Sequence, residues 1–327
     1  MPWIRIPRPV RASILFFLVS CLALSSPGPA RACSVCLAGD AVFDAGGTSV
    51  GEAGQWNLFV QGSGWVKRSG PLPGEDASEE KNKSQRLDLY LAWTPIDRFT
   101  FTLNVPFAFN HITEYGDEGQ DESSLSGLGD ISFMGSAILW RDRDALPETW
   151  VEARTFLKAP TGKSQTSVDG SQDPHLQRGT GSWDFGFGAA VAHKLALGSL
   201  YASTTYRVNT EGSLSYEYGD NLLANLAYQL SLGDALGVAS LATWSPGVEL
   251  NYRWAGYDHF HGDRYADSGG SILYATPSLR VGLPFLAIGE RRPPSLRASV
   301  QIPLTNAWLN GFQKEDPTWR VGLAVPF

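Results

Sequence analysis

Long hydrophobic runs are missing from the body of this chain. Past the first 24 residues, no stretch approaches the roughly 18 uninterrupted apolar residues that a membrane-spanning helix needs. Cysteine is scarce, at three residues, and methionine scarcer, at two; a scaffold built on disulfides is excluded. No Gly-x-Ser-x-Gly is present, and the single Cys-x-x-Cys has Leu37 where c-type haem attachment needs histidine. Basic residues do not dominate either, with 26 Lys and Arg against 33 Asp and Glu, and they form no stripe of the kind that binds nucleic acid. Neither a cofactor nor a metal is expected.

The chain does have an export leader. Arg5, Arg8 and Arg11 precede an apolar run from Ile14 to Leu24, then Ser-Ser-Pro-Gly-Pro and Ala30-Arg31-Ala32. This reads as a signal peptide over 1–32, cut before Cys33. Leu18-Val19-Ser20-Cys21 also resembles a lipoprotein box, although Leu22-Ala23-Leu24 carries the apolar core past the cysteine. Four of the basic residues fall in the leader, so the mature chain carries 22 against 33 acidic residues. Its 35 glycines, 11 tryptophans, 11 tyrosines and 16 phenylalanines suit strands of which only every second residue meets lipid.

Period two dominates. Phe99, Phe101, Leu103, Val105, Phe107 and Phe109 alternate with Thr100, Thr102, Asn104, Pro106, Ala108 and Asn110. Leu87, Leu89, Leu91 and Trp93 alternate with Arg86, Asp88, Tyr90 and Ala92. The pattern predicts about twelve strands, beginning near Gln55, Gln85, Phe99, Gly129, Thr149, Ser182, Leu200, Asn221, Leu236, Ser271, Ser295 and Thr318. Connections near 95–98, 141–148, 195–199 and 232–235 are short. Those at 68–84, 112–128, 160–181, 209–220, 255–270 and 306–317 are long and polar, and 284–294 is an oversized turn. Short turns on one side and long loops on the other point to an all-β, transmembrane antiparallel barrel over 55–327 in a bacterial outer membrane. A short periplasmic segment over 33–54 precedes it. Trp319, Val321, Leu323, Val325 and Phe327 form one face of the terminal strand, an assembly signal for the barrel-assembly machinery. A soluble β-sandwich spaces turns similarly, but does not alternate long and short loops in this way.

With the apolar parity facing lipid, the other parity faces the lumen. Its basic members are Lys67, Arg86, Arg154, Lys158, Lys194, Arg207, Arg253, Arg280, Arg297 and Arg320; its acids are Asp88, Glu152, Asp184 and Glu249, with Asn104 among the polar residues. The remaining acids gather in the loops, as at Glu75, Asp76, Glu79, Glu80, Asp117, Glu118, Asp121 and Glu122. These charges either pair and brace the wall or set up a field favouring anionic or polar aromatic solutes. Twelve strands about 4.8 Å apart and tilted about 40° enclose a backbone diameter of roughly 24 Å, which long side chains narrow to a passage for small solutes.

Two groups of residues resemble a known family. Ser126-Gly-Leu-Gly-Asp130-Ile-Ser opens the fourth strand; Lys158-Ala-Pro-Thr-Gly162 and Gly179-Thr-Gly-Ser-Trp-Asp184 bracket the loop between the fifth and sixth. This ordered set resembles the outer-membrane barrels of the "MetA pathway of phenol degradation" type. The resemblance implies a channel near the FadL-like group, taking up aromatic or other small organic molecules. The chain departs from FadL-like channels in having only about 20 residues ahead of its first strand, room for a small plug at most.

Other readings rest on fewer residues. Cys33-Ser-Val-Cys36 suits a disulfide in an oxidising compartment, or a redox or metal-touching pair. Barrel sheaths of electron conduits also begin with Cys-x-x-Cys, but about twelve strands are too few to enclose a multihaem cytochrome. In Asp258-His-Phe-His-Gly-Asp263, His259 and His261 would point the same way on an extended segment, short of a full ligand set. His111 beside Ser123, Ser124 and Ser126 raises a lipase-like reading without a third group to orient the imidazole. A barrel that is structural, or that binds another envelope component, is the remaining alternative to a channel.

Overall fold

The computed structural model describes residues 53–69, 79–116, 119–144, 147–168, 172–264, 268–287, 293–305, 308–309 and 313–327. The leader with Cys21 and the segment with Cys33 and Cys36 lie outside the described residues, as do Glu75, Asp76, Asp117 and Glu118.

Alternating sequences fold as the pattern requires. The wall strands are β1 (Gln55–Ser69), β2 (Glu79–Ile96), β3 (Phe99–Gly116), β4 in two pieces (Gly119–Leu128 and Ser132–Arg141), β5 (Thr149–Lys158) and β6 (Asp184–Leu195). They continue as β7 (Gly198–Val208), β8 (Asn221–Leu230), β9 (Trp244–Ala255), β10 (Gly270–Gly282), β11 (Ser295–Thr305) and β12 (Thr318–Pro326). Every neighbour pairs antiparallel, and β1 pairs with both β2 and β12, so the sheet closes. The seam runs from Asn57↔Pro326 to Gly64↔Trp319. Trp56 and Phe327 exchange two backbone hydrogen bonds of 3.0 and 2.8 Å at its lower end. Gly64 makes room at the opposite end: a Cβ on it would lie 2.6 Å from the Trp319 indole.

Apolar residues face out. Leu87, Phe101, Phe133 and Phe187 are 42%, 53%, 49% and 62% exposed, whereas Gln61, Asp88 and Glu152 on the other parity are 1%, 0% and 0% exposed. A soluble protein would invert this. The outward band therefore faces lipid, and closure leaves no unpaired edge within it.

Three elements differ from the expectation. The stretch expected to start a strand at Leu236 is a helical turn, Leu232–Leu236, closed by Gly237 at φ +64°, and β9 begins only at Trp244. Gly237 takes the left-handed cap conformation easily, and the alternating Leu236 and Val238 imitate a strand beside it. β2 and β3 each run 18 residues, beyond their apolar stretches, and β3 returns through Gly116↔Gly119 into β4. Most of 112–128 is thus a paired hairpin rather than a loop, because backbone bonding does not need apolar side chains. Finally, β4 carries a bulge. Asn104↔Ser132 and Phe107↔Leu128 frame three steps on β3 against four on β4. The extra residue flips the faces, turning Asp130 into the lumen.

Candidate functional site

The lumen is a braced polar interior. On a strand, residues i and i+2 share a face, and the sequence places opposite charges at that spacing. Arg86 Nε donates to Asp88 Oδ2 at 2.6 Å, Arg154 pairs with Glu152, and Asn104 Nδ2 reaches Asp88 Oδ1 at 3.2 Å. Other pairs cross strands: Arg297 Nη2 lies 2.9 Å from Glu249 Oε1, and Lys158 Nζ lies 2.5 Å from Asp184 Oδ2 and 3.3 Å from Asp130 Oδ2.

Among the lumen carboxylates that escaped the parity reading are Asp130 and Glu315. Glu315 sits opposite Lys67 in a short outer strand within the region read as loop 306–317; it pairs with Lys67 at 3.3 Å and with Arg253, and accepts from the Tyr274 hydroxyl at 2.5 Å. Burial raises its carboxyl, but Arg253 and Lys67 beside it, with the hydrogen bonds from Tyr274 and Arg253, outweigh burial and hold it at about 2. The only signal for Glu315 was alternation within Gln313-Lys-Glu315, too short to weigh. Asp130 stood in the quoted Gly-Leu-Gly-Asp segment, but only the bulge aims it inward.

Asp130 organises the loop between β5 and β6. Its Oδ1 accepts from Gly162 N (2.9 Å), and its Oδ2 accepts from Thr180 N (2.8 Å) and Thr180 Oγ1 (3.1 Å). Three of the family-like glycines, Gly129, Gly162 and Gly179, meet here. A Cβ on Gly162 would lie 2.9 Å from Gly129 C and Gly179 Cα, and one on Gly179 would lie 2.5 Å from Asp130 Oδ1. The loop, expected to stand outside, therefore folds into the barrel mouth. Leu176 and Gln177 are 3% and 4% exposed. Asn110 Nδ2 on β3 donates to Leu176 O (3.2 Å) and Gln177 O (2.9 Å), and Tyr218 Oη donates to Pro174 O (3.2 Å). Within the loop His175 Nδ1 lies 3.1 Å from Asp173 Oδ1. Burial raises the Asp173 carboxyl, and His175 reverses that and leaves it below its usual range.

Below the loop lies an open-mouthed chamber. Arg86, Arg154, Lys158, Arg207 and Arg320 line it with Asp130, and Tyr90, Met134 and Phe156 supply apolar walls. The Arg207 guanidinium stacks 4.2 Å above the Phe156 ring. A second cavity, roofed by Pro174–Thr180, shares Arg86, Asp130, Lys158 and Arg207 with it. Toward the termini the interior fills: Phe59 stacks on Tyr90 at 5.7 Å, and Tyr201 packs with Ala190, Ala192 and Ala227.

The structure thus brings Arg86, Asp88, Asn104, Glu152, Arg154, Lys158 and Arg207 together around the chamber and its braces, with Arg320 and Arg86 flanking Ser63. Glu249, Arg253 and Arg297 belong to pairs elsewhere in the interior, and Arg280 stands in register with Arg297 and Ser245. Lys194 keeps its parity but is exposed at a turn. His111 faces outward opposite Ser124, its Nε2 3.3 Å from Thr113 Oγ1. His259 and His261 do not lie on one extended run, because His261 turns at φ +53°. Asp258, which opens that segment, is fully buried and accepts from Tyr216 Oη (2.5 Å) and Gly219 N (2.7 Å). No cluster of three or more metal-ligating side chains occurs among the described residues.

Fold and interior together define a twelve-stranded transmembrane β-barrel with a braced, constricted lumen. Among solved structures, an outer membrane channel from Pseudomonas putida F1 is similar: 17% identical, TM-score 0.62, covering 86% of this chain and 98% of that one. The translocator domain of the autotransporter NalP from Neisseria meningitidis (11%, TM-score 0.49, covering 88% and 93%) and a Pseudomonas aeruginosa FadL homologue (10%, TM-score 0.41, covering 84% and 90%) are further barrels. At these identities the first similarity concerns the fold, and the other two carry no argument. No family model and no curated protein matches the sequence.

Proposed function

We propose that the protein is an outer-membrane channel for small organic anions, aromatic ones included. One observation carries this reading. Five cationic side chains line the chamber against a single lining carboxylate, Asp130, while Asp88, Glu152 and Asp184 are paired with Arg86, Arg154 and Lys158 and do not line it. Such a surface in a low-dielectric wall favours a negative group, and the stacked Phe156, with Tyr90 and Met134, favours an apolar or aromatic body. The architecture shared with the Pseudomonas putida channel and the resemblance of the glycine segments to phenol-degradation barrels agree with this reading.

Planar-bilayer recording under a salt gradient tests it. The unmodified protein should reverse toward anions, and Arg86→Ser with Arg154→Ser and Arg207→Ser should move the reversal potential toward cations. Cation preference in the unmodified protein would sink the anion assignment. A second reading, a barrel that braces the envelope without transport, is favoured by the interior ion pairs at Glu152 and Glu249, 0% and 2% exposed. Absence of any conductance, with the barrel folded, would select it.

A further inference from the structure

The lipid-facing surface ends abruptly on one side of the barrel and turns basic. Trp56, Trp93 and Phe101 stand in register on β1, β2 and β3 near the chain termini, their rings 5.5 and 6.4 Å apart. From this girdle the outward positions are apolar: Leu58 and Val60 on β1, Leu91, Leu89 and Leu87 on β2, and Leu103 to Phe109 on β3. Beyond Gln85 and Phe109 the same faces carry Lys83 and His111, which are register partners. One row further, Lys314, Arg68 and Lys81 stand side by side.

The height of this row is decisive. Ten residues separate Trp93 from Lys83, and ten separate Phe101 from His111. At roughly 3.3 Å per residue and a tilt of about 40°, that is about 25 Å along the membrane normal, the height of the apolar band of an outer-membrane barrel. The basic row therefore falls at the headgroup level of the leaflet opposite the girdle.

The acids of this rim divide between the two faces. Glu114 and Asp121, register partners on the same hairpin, share the lumen-side face. On the outward face Asp316 holds Arg68 at 2.8 Å, Glu122 stands opposite Thr113, one step above His111, and Glu79 stands opposite Tyr115, one step beyond Lys81. Lys314, Lys81 and Lys83 still leave the patch basic. A groove lined by Lys83, Gln85, Phe109, His111, Ser124 and Ser126 runs from the Lys83–His111 row toward the apolar band, with hydrogen-bond donors at one end and an exposed aromatic ring at the other.

We propose that this surface binds the phosphate-bearing glycolipid of the outer leaflet, of lipid A type. Lys81, Lys83 and Lys314 meet its phosphates; His111 and Ser124 hydrogen-bond its sugar headgroup, and an acyl chain descends past Phe109. The assignment rests on the outer-membrane placement above but not on solute passage.

The test titrates full-length, folded protein in detergent with lipid A and with dephosphorylated lipid A, reading bound lipid by native mass spectrometry. Lipid A should bind, removal of its phosphates should weaken binding, and Lys81→Ser with Lys83→Ser should weaken it roughly tenfold or more. Glu122→Gln should tighten it. Heat-modifiable gel mobility and single-channel conductance should not change in these variants. Equal binding of the dephosphorylated lipid, displacement by inorganic phosphate, or an unchanged Lys81→Ser/Lys83→Ser variant would each overturn the proposal. Membrane fractionation of the cells, run in parallel, reports separately on the outer-membrane placement.

Discussion

Asp130→Asn isolates the loop from the barrel. The carboxylate is nearly buried, its side chain 6% exposed, and it accepts three hydrogen bonds while lying 3.3 Å from Lys158. Asparagine can keep the acceptor for Gly162 N. At the other position an amide would confront two Thr180 donors and a lysine cation, so those bonds are lost and donors are left unsatisfied. Removing one partner of a buried, hydrogen-bonded charge costs about 3 kcal/mol or more. Because Lys158 keeps Asp184 at 2.5 Å, we take the lower figure, which shifts the docked-to-undocked ratio of the loop roughly a hundredfold. Wall hydrogen bonds are untouched, so the folded band on unheated gels should persist. Two readouts follow: single-channel conductance should rise as the loop leaves the mouth, and trypsin should cut after Lys163 or Arg178. In the intact loop, Gly179 N donates to Lys163 O at 3.2 Å and Arg178 Nη1 to Ser126 O at 2.8 Å, which shields both sites. Gly179→Ala should act alike, since its Cβ would lie 2.7 Å from Gly162 O, backbone that cannot step aside. Wild-type conductance and trypsin resistance in both variants would refute the assignment of Asp130 as the loop anchor.

Leu89→Arg places a charge on the outward face at mid-band and should cost about 2–4 kcal/mol of barrel stability, read as urea-induced unfolding in bilayers; no loss would argue against lipid contact there. Glu315, held at about 2 against an ordinary 4.5, adds stability that is full above about pH 4.5 and drains away as pH falls toward 2. Hydrogen exchange at 313–316 should thus stay slow at pH 5 and quicken below 4.5, and Glu315→Gln should remove that dependence. For topology, an impermeant maleimide should label Glu122→Cys but not Asp144→Cys on intact cells; the reverse would invert the barrel.

Alternation by itself determined a great deal. In a barrel every strand is buried on one side and lipid-facing on the other, so period two in 87–109 or 319–327 reports which side chains point in, and the i, i+2 charges Arg86–Asp88 and Glu152–Arg154 follow from that alone. What alternation cannot count is a residue that breaks it. The bulge at 129–131 reverses the faces of β4 and so decides that Asp130 points inward, and Gly237 ends a helical turn where Leu236 and Val238 imitate a strand. The ten-to-four excess of lumen bases also shrinks once Asp130 and Glu315 join the interior, one brought in by that bulge and the other by a short pairing with Lys67. The fold of loop 159–183 lay beyond the sequence for the same reason. Gly162 lies 17 residues from Gly179 and 33 from Gly129 along the chain, and that the three must touch one another is a property of three-dimensional closeness, which only the closed barrel supplies.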